Sequence, residues 1–191
     1  NQISSSGLLK FLRKFENQDL LSPQRQDPYL QTHPLTSSRI TFVKNHVESS
    51  QFSQNPISDL DQAKHARVRA KLFGFLQPIE RTFQLYPSRD KSIPGRYARA
   101  IGYYRASDFE SALRELDGLI GEQPNDPYFH EFYGQILLEN GRPTEAIRPY
   151  EKAVSLHPNS VLLRIGLGQA QVSDGRDINV TSAIKNMRKA V

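Results

Sequence analysis

A period of 34 residues is the sequence feature that most constrains this chain. Ala100 and Gly134 lie 34 positions apart, and the same offset relates Ala112 to Ala146. The further matches at this offset are Tyr103 with Leu137, Leu116 with Tyr150, Leu119 with Ala153, and Pro124 with Pro158. No gap is needed to align them. A fixed period of this length predicts tandem units that each form one supersecondary structure.

The central unit, residues 127–159, predicts a pair of packed helices. Gly141 followed by Pro143 divides it into two helical halves, and Pro158 closes it. Small residues recur in both halves and would let the two helices approach closely, with Tyr150 filling the space between them. These small residues are Gly134, Ala146 and Ala153.

Helix pairs with small residues at these places and a closing proline resemble tetratricopeptide (TPR) repeats. A single pair cannot bury its apolar side alone, so neighbouring pairs are required. Three repeats are predicted, at residues 93–126, 127–160 and 161–191, the last of which ends before its closing proline. The register of the third repeat slips by three residues after Gly175. Its second helix is then predicted to place inward Ala183, Met187 and Ala190.

A concave groove is the expected binding surface of such a stack. The first helices of the repeats line it, and it suits an extended peptide or a helix of another protein. The predicted groove mixes aromatic anchors with polar groups. Its residues are Tyr97, Ile101, Tyr104 and Arg105 in the first repeat, Tyr128, Glu131, Gln135, Leu138 and Glu139 in the second, and Leu162, Ile165 and Gln169 in the third. With one arginine and no lysine in this set, binding of acidic C-terminal tails is not predicted.

Composition narrows the range of partners. The chain carries a formal net charge of +5, but its basic residues alternate with acidic ones, so no nucleic-acid partner is predicted. A local cluster of basic residues is interpreted as a solvated helix face or a contact with an acidic domain; it comprises Lys64, His65, Arg67, Arg69 and Lys71. No apolar run predicts a membrane span, and the absence of cysteine leaves the redox compartment open. Because the chain begins with Asn1, we expect it to be a piece of a longer protein.

The N-terminal residues carry a second resemblance. The stretch GLLKFLRKF is followed by a polar gap and then by RQDPYLQTHPLTSSRI. The residues that matter are Gly7, Leu8, Leu9, Phe11, Leu12, Thr32, His33, Pro34, Leu35, Arg39 and Ile40. This pattern resembles the end of the peptidase domain in zinc metallopeptidases of the BepA type, an HtpX-related family with C-terminal TPR repeats. In that family a His-Pro loop is likewise followed by a helix and then by helical repeats.

The resemblance implies a protease whose catalytic centre lies outside this chain. Such enzymes bind zinc through His-Glu-x-x-His on a helix, with the glutamate as general base, and use a later glutamate as third ligand. The nearest string begins at His130 and has Gly134 where the second histidine is required, so His130 is interpreted as a packing residue. We therefore expect no catalytic residue, no metal ligand and no cofactor in this chain, and zinc in the longer parent.

Two residues mark the candidate active-site loop that the resemblance implies. His33 is expected either to act on the parent's zinc as an occluding ligand or gate, or to be anchored to the backbone by hydrogen bonds. Arg39 is most simply a helix-anchoring ion-pair partner.

The predicted fold class is all-α, a TPR-type α-α superhelix of helical hairpins preceded by the helical C-terminal tail of a metallopeptidase domain. Three segments are predicted: the peptidase tail at 1–50 (helix, His-Pro loop, helix), a linker with a capping helix pair at 51–92, and the repeats at 93–191. Helices outside the repeats are predicted at residues 6–17, 37–50, 59–75 and 78–86. Ser6 is expected to cap the first of these helices, and either Ser58 or Asp59 the third.

Pro149 lies inside the predicted second helix of the central repeat. A proline at such a position removes a backbone donor and clashes with the preceding turn, at a cost of roughly 3 kcal/mol. A bend or widened turn is predicted between Glu145 and Pro149.

Two functional hypotheses follow. The first is a protein-interaction domain of a zinc-dependent metalloprotease, which recruits or positions envelope or outer-membrane protein substrates for quality control in the bacterial periplasm. The second is a stand-alone TPR adaptor without a protease, in which residues 1–50 form an irregular cap. Both expect proteins or peptides as partners, with no nucleic acid and no membrane span.

Overall fold

The computed structural model describes residues 3–14 and 37–188, and every regular element in these ranges is a helix. The all-α prediction is therefore confirmed. The ten described helices are α1 (Ser6–Arg13), α2 (Ser37–Ser49), α3 (Asp59–Leu76), α4 (Ile79–Leu85), α5 (Ile93–Arg105), α6 (Phe109–Glu122), α7 (Pro127–Glu139), α8 (Pro143–Leu156), α9 (Val161–Asp174) and α10 (Asp177–Arg188). None of them is long and apolar enough to cross a membrane.

The chain divides into two compact units, Asn1–Ala63 and Lys64–Val191. In the first unit α1 packs against α2, and Leu9 and Ile40 are the buried residues of these two helices. The segment boundaries predicted at residues 50 and 92 stay predictions.

The start of α1 differs from the prediction by one position. Ser6 is the first helical residue, and Ser5 occupies the N-cap position without a side-chain hydrogen bond to the helix. The backbone amide of Ser6 instead donates to the Ser4 hydroxyl at 3.2 Å. In α3 the predicted choice is resolved in favour of Ser58, whose hydroxyl accepts from the amide of Asp61 at 3.1 Å.

The second unit contains the three predicted helix pairs, α5 with α6, α7 with α8, and α9 with α10. The first helix of each pair begins at a capping residue whose side-chain oxygen accepts a backbone N–H, which satisfies an otherwise unpaired donor. These caps are Ser92, Asp126 and Ser160, and they too are 34 residues apart. The sequence period therefore sets the helix starts as well as the core.

Tyr150 is the centre of the seam predicted for the central repeat. Its side chain is 5% exposed. A Cβ added at Gly134 would lie 2.7 Å from its ring, and one added at Gly166 would overlap the ring's Cε1 atom. One aromatic side chain thus fills the space within the second repeat and the space between the second and third, because both facing positions lack a side chain.

The register slip in the third repeat is confirmed at one of its positions. Gly175 ends α9 in the left-handed conformation with φ 73°, and Ala183 on α10 is completely buried. The Met187 side chain and Ala190 lie outside the described part of the chain.

Arg99 is a buried charge that ties the first repeat together. Its side chain is 1% exposed, and its Nε donates to Glu115 Oε1 on α6 at 2.7 Å. Its Nη1 donates to the carbonyls of Pro87 and Asp90 at 2.8 and 2.7 Å. A buried guanidinium is tolerated because its donors are paired in this way.

Helix α8 continues through Pro149 from Pro143 to Leu156. The predicted local bend between Glu145 and Pro149 stays a prediction.

Candidate peptide-binding groove

Helix α3 packs onto the part of the first repeat that was predicted to line the groove. Ala70 is completely buried against Ala98 and Tyr86. Gly74 lies so close that an added Cβ would stand 3.0 Å from Ile101 Cγ2. Small residues on α3 thus allow its backbone to approach α5.

Phe75 extends this contact from the first repeat to the second. Its ring centroid lies 6.5 Å from that of Tyr104 and 6.3 Å from that of Phe132, both in edge-to-face geometry. Tyr97 in turn meets Phe129 with centroids 5.4 Å apart. The residues therefore form an aromatic cluster shared by α3, α5 and α7.

Arg67 connects α3 to the start of α7. It pairs with both carboxylate oxygens of Asp126, with Nη2 2.9 Å from Oδ1. Its guanidinium carbon lies 4.4 Å from the Phe129 ring centroid, 5.5 Å from Tyr97 and 5.6 Å from Tyr128. Asp126 also caps α7 by accepting from the Tyr128 amide at 2.9 Å. The ion pair and cation–π contacts fix the side chains at this end of the groove.

Arg105 closes the other end of α3. Its Nη1 donates to the carbonyls of Gly74 and Gln77 at 2.8 and 2.5 Å. These groups lie at the C-terminal end of the helix, where carbonyls lack intrahelical partners and the helix dipole favours a cation.

The structure thus gives the four predicted groove residues of the first repeat a different role. Tyr97 is 2% exposed and Ile101 is not exposed at all, because both pack beneath α3. Tyr104 and Arg105 also contact α3. Burial, together with the hydrogen bond from its hydroxyl to Glu139, raises the pKa of Tyr104 to about 12. The sequence could not reveal this cover, since α3 lies outside the repeats.

The predicted positions on the second and third repeats remain open. Tyr128 is 43% exposed, Leu162 76% and Ile165 38%. Gln169 is also exposed, and Gln135 donates to Glu139 at 2.9 Å. Leu138 is half-buried against the core.

Glu131 lies half-buried in the same row of positions. Burial raises the pKa of its carboxyl, and the positive charge of Lys71 partly counteracts that rise. The carboxylate and the ammonium group of α3 are thus close enough to interact through space.

A pocket of ≈ 470 Å³ was not predicted. Its residues are Lys64, Arg67, Val68 and Lys71 on α3 together with Tyr97 and Tyr128 on the repeats. The basic cluster in the sequence was the available signal, but its interpretation as a solvated face did not consider that α3 lies beside the predicted groove.

The remaining candidate residues do not form a second site. His33 lies outside the described residues, and Arg39 is exposed on α2. The Nε2 atom of His130 is 2.9 Å from the carbonyl oxygen of Pro124, which ties it to the turn before α7. Within residues 3–14 and 37–188 no three His, Cys, Asp or Glu side chains are grouped so that they could hold a metal ion.

The helix pairs, their shared seam and the groove define a tetratricopeptide repeat domain. Residues 97–161 match the tetratricopeptide repeat family. Crystal structures of MamA share the fold: one has a TM-score of 0.56 at 15% identity, covering 85% of this chain and 87% of that one. A second has a TM-score of 0.54 at 18% identity, covering 69% and 78%.

Two sequence relatives are much longer than this chain. The beta-barrel assembly-enhancing protease of Yersinia pestis is 23% identical over 169 residues, which are 85% of this chain and 34% of that protein. The E3 SUMO-protein ligase RanBP2 of Pan troglodytes is 32% identical over 92 residues, or 46% of this chain and 3% of that protein. The chain thus spans about a third of the protease and a small part of the ligase.

Proposed function

We propose that the repeats bind an extended segment of a partner protein along the first helices of the second and third repeats. The supporting observation is an exposed apolar row on α9. Leu162 and Ile165 are 76% and 38% exposed, whereas Leu163 and Leu167 on the same helix are 1% and 4% exposed. The packing of the repeats therefore uses one side of α9 and leaves the other available.

The row continues onto α7 because the repeats are in register. Tyr128 and Leu162 are 34 residues apart, as are Gln135 and Gln169. An aromatic ring, aliphatic side chains and amide groups then alternate along one face. Such a surface binds apolar side chains of a peptide and pairs with its backbone.

The test uses the full chain and peptides of about 15 residues that tile an unfolded outer-membrane β-barrel protein, measured by fluorescence anisotropy. Replacing Leu162 and Ile165 by lysine is expected to weaken the best-binding peptides by about tenfold or more. The matched control replaces Leu85 and Ile184, which are 45% and 48% exposed outside the groove. Equal affinity of the groove variant and the control would overturn the proposal.

A finer proposal is that this domain serves a zinc-dependent envelope protease by recruiting or positioning its substrates in the periplasm. Two observations support it: the resemblance of the N-terminal residues to such a peptidase, and the similarity to the Yersinia pestis protease over 85% of this chain. Zinc would belong to the parent enzyme, and His33 with Arg39 would belong to its active-site loop.

The same groove would equally serve a stand-alone adaptor. The coding sequence upstream of Asn1 separates the two proposals. A His-Glu-x-x-His helix followed by a glutamate ligand supports the protease, and a start codon without them supports the adaptor.

A further inference from the structure

We propose that the pocket between α3 and the first helices of the first two repeats binds an extended acidic segment of the partner. Two carboxylates of the segment lie on Lys64 and Lys71, and an apolar side chain between them rests on Val68 and Tyr128. This inference rests on the proposed function, because the segment would belong to the protein that occupies the groove.

The spacing of the two lysines selects the spacing of the acids. Lys64 and Lys71 are two helical turns apart and therefore on one face of α3, about 10.5 Å apart along its axis. An extended peptide rises about 3.3 Å per residue, so two acidic residues three positions apart cover this distance. Val68 lies between the lysines on the same face and is 56% exposed.

Charge distribution makes the lysines the available cations of the pocket. The charge of Arg67 is matched by Asp126, which binds it through both oxygens. Lys64 and Lys71 are exposed, and neither is among the ion pairs formed by the described side chains. Glu131 offsets part of the charge of Lys71, so the Lys64 end attracts an anion more strongly.

The walls of the pocket suit one apolar side chain. Tyr97 and Tyr128 are held by the guanidinium of Arg67, which lies 5.5 and 5.6 Å from their ring centroids. A volume of ≈ 470 Å³ accommodates an aliphatic side chain with its flanking backbone. Rings that are already held in place lose little conformational freedom on binding.

The probe is a terminally blocked fluorescent peptide, Gly-Gly-Glu-Leu-Leu-Glu-Gly-Gly, compared with the same peptide carrying Gln for Glu. Blocking removes the terminal carboxylate, so only side-chain carboxylates are tested. Wild-type full chain is expected to prefer the Glu peptide by about tenfold at low salt and to lose that preference as salt rises. The double variant Lys64→Gln, Lys71→Gln is expected to bind both peptides equally.

The control variant Lys91→Gln, Lys152→Gln removes the same charge from exposed positions outside the pocket and is expected to keep the preference. Equal loss in both variants would show nonspecific attraction and overturn the site, as would equal binding of both peptides by wild type. Glu131→Gln is expected to strengthen binding of the Glu peptide. Loss of the site would leave the Leu162 and Ile165 result unchanged, so the two proposals fail separately.

Discussion

Tyr150 contacts the backbone of two different first helices, and glycine at both facing positions makes this possible. Gly166→Ala adds a methyl group where the Tyr150 ring already lies. We expect it to lower the free energy of unfolding by about 1–3 kcal/mol despite the better helix propensity of alanine. Urea denaturation followed by circular dichroism measures this change.

The matched control is Gly121→Ala on α6, where an added Cβ meets nothing within 4 Å. This variant is expected to raise the free energy of unfolding by about 0.5 kcal/mol through helix propensity alone. Stabilisation by both variants would contradict the seam described here.

Glu131 provides a pH prediction at the same scale. Burial raises the pKa of its carboxyl in the folded state above its ordinary value of 4.5. The folded state therefore favours the protonated form, and this contribution to stability is lost as pH rises from about 4.5 through the raised pKa. We expect Glu131→Gln to be more stable than wild type at pH 7 and to approach it at pH 4. Denaturant titrations at several pH values measure the difference, and a constant difference would contradict the prediction.

At the scale of the element, α8 contains a proline in its interior. The pyrrolidine ring removes one backbone hydrogen bond and disfavours the preceding turn. Pro149→Ala is expected to raise the free energy of unfolding by up to about 3 kcal/mol.

Pro143 is the control because it occupies the first position of the same helix, where proline is compatible with the fold. Pro143→Ala is expected to lower the free energy of unfolding by about 0.4–1 kcal/mol, since it increases the freedom of the unfolded chain. Destabilisation by Pro149→Ala, measured by thermal and urea unfolding, would show that its ring packing outweighs the backbone cost.

The elements themselves were largely predictable. Apolar periodicity and the Gly141, Pro143 and Pro158 breaks depend on neighbours a few residues away, so the sequence places these helices within a few residues. Prediction erred at the start of α1, where one more serine was available as a cap. It also left open the role of the basic cluster on α3, because helical periodicity does not state which other helix a face will meet.

At the scale of the molecule, α3 departs from the rule that a repeat contacts only its neighbours. Through Arg67 and Phe75 it reaches the second repeat as well as the first. Arg67→Met is therefore expected to speed amide hydrogen exchange in α3 and at the start of α7 while leaving α9 unchanged. Exchange measured by mass spectrometry tests this, and a uniform increase through α9 would contradict a local role for the ion pair.

The sequence by itself determined the period, the helix pairs and the seam around Tyr150, because each repeat meets an identical neighbour at a fixed offset. The tertiary structure decided which part of the groove is open. Helix α3 has no counterpart at the 34-residue offset, and its position follows from the fit of Gly74 against Ile101 and the pairing of Arg67 with Asp126. Those contacts join residues up to 59 positions apart, and no local pattern specifies such a pairing.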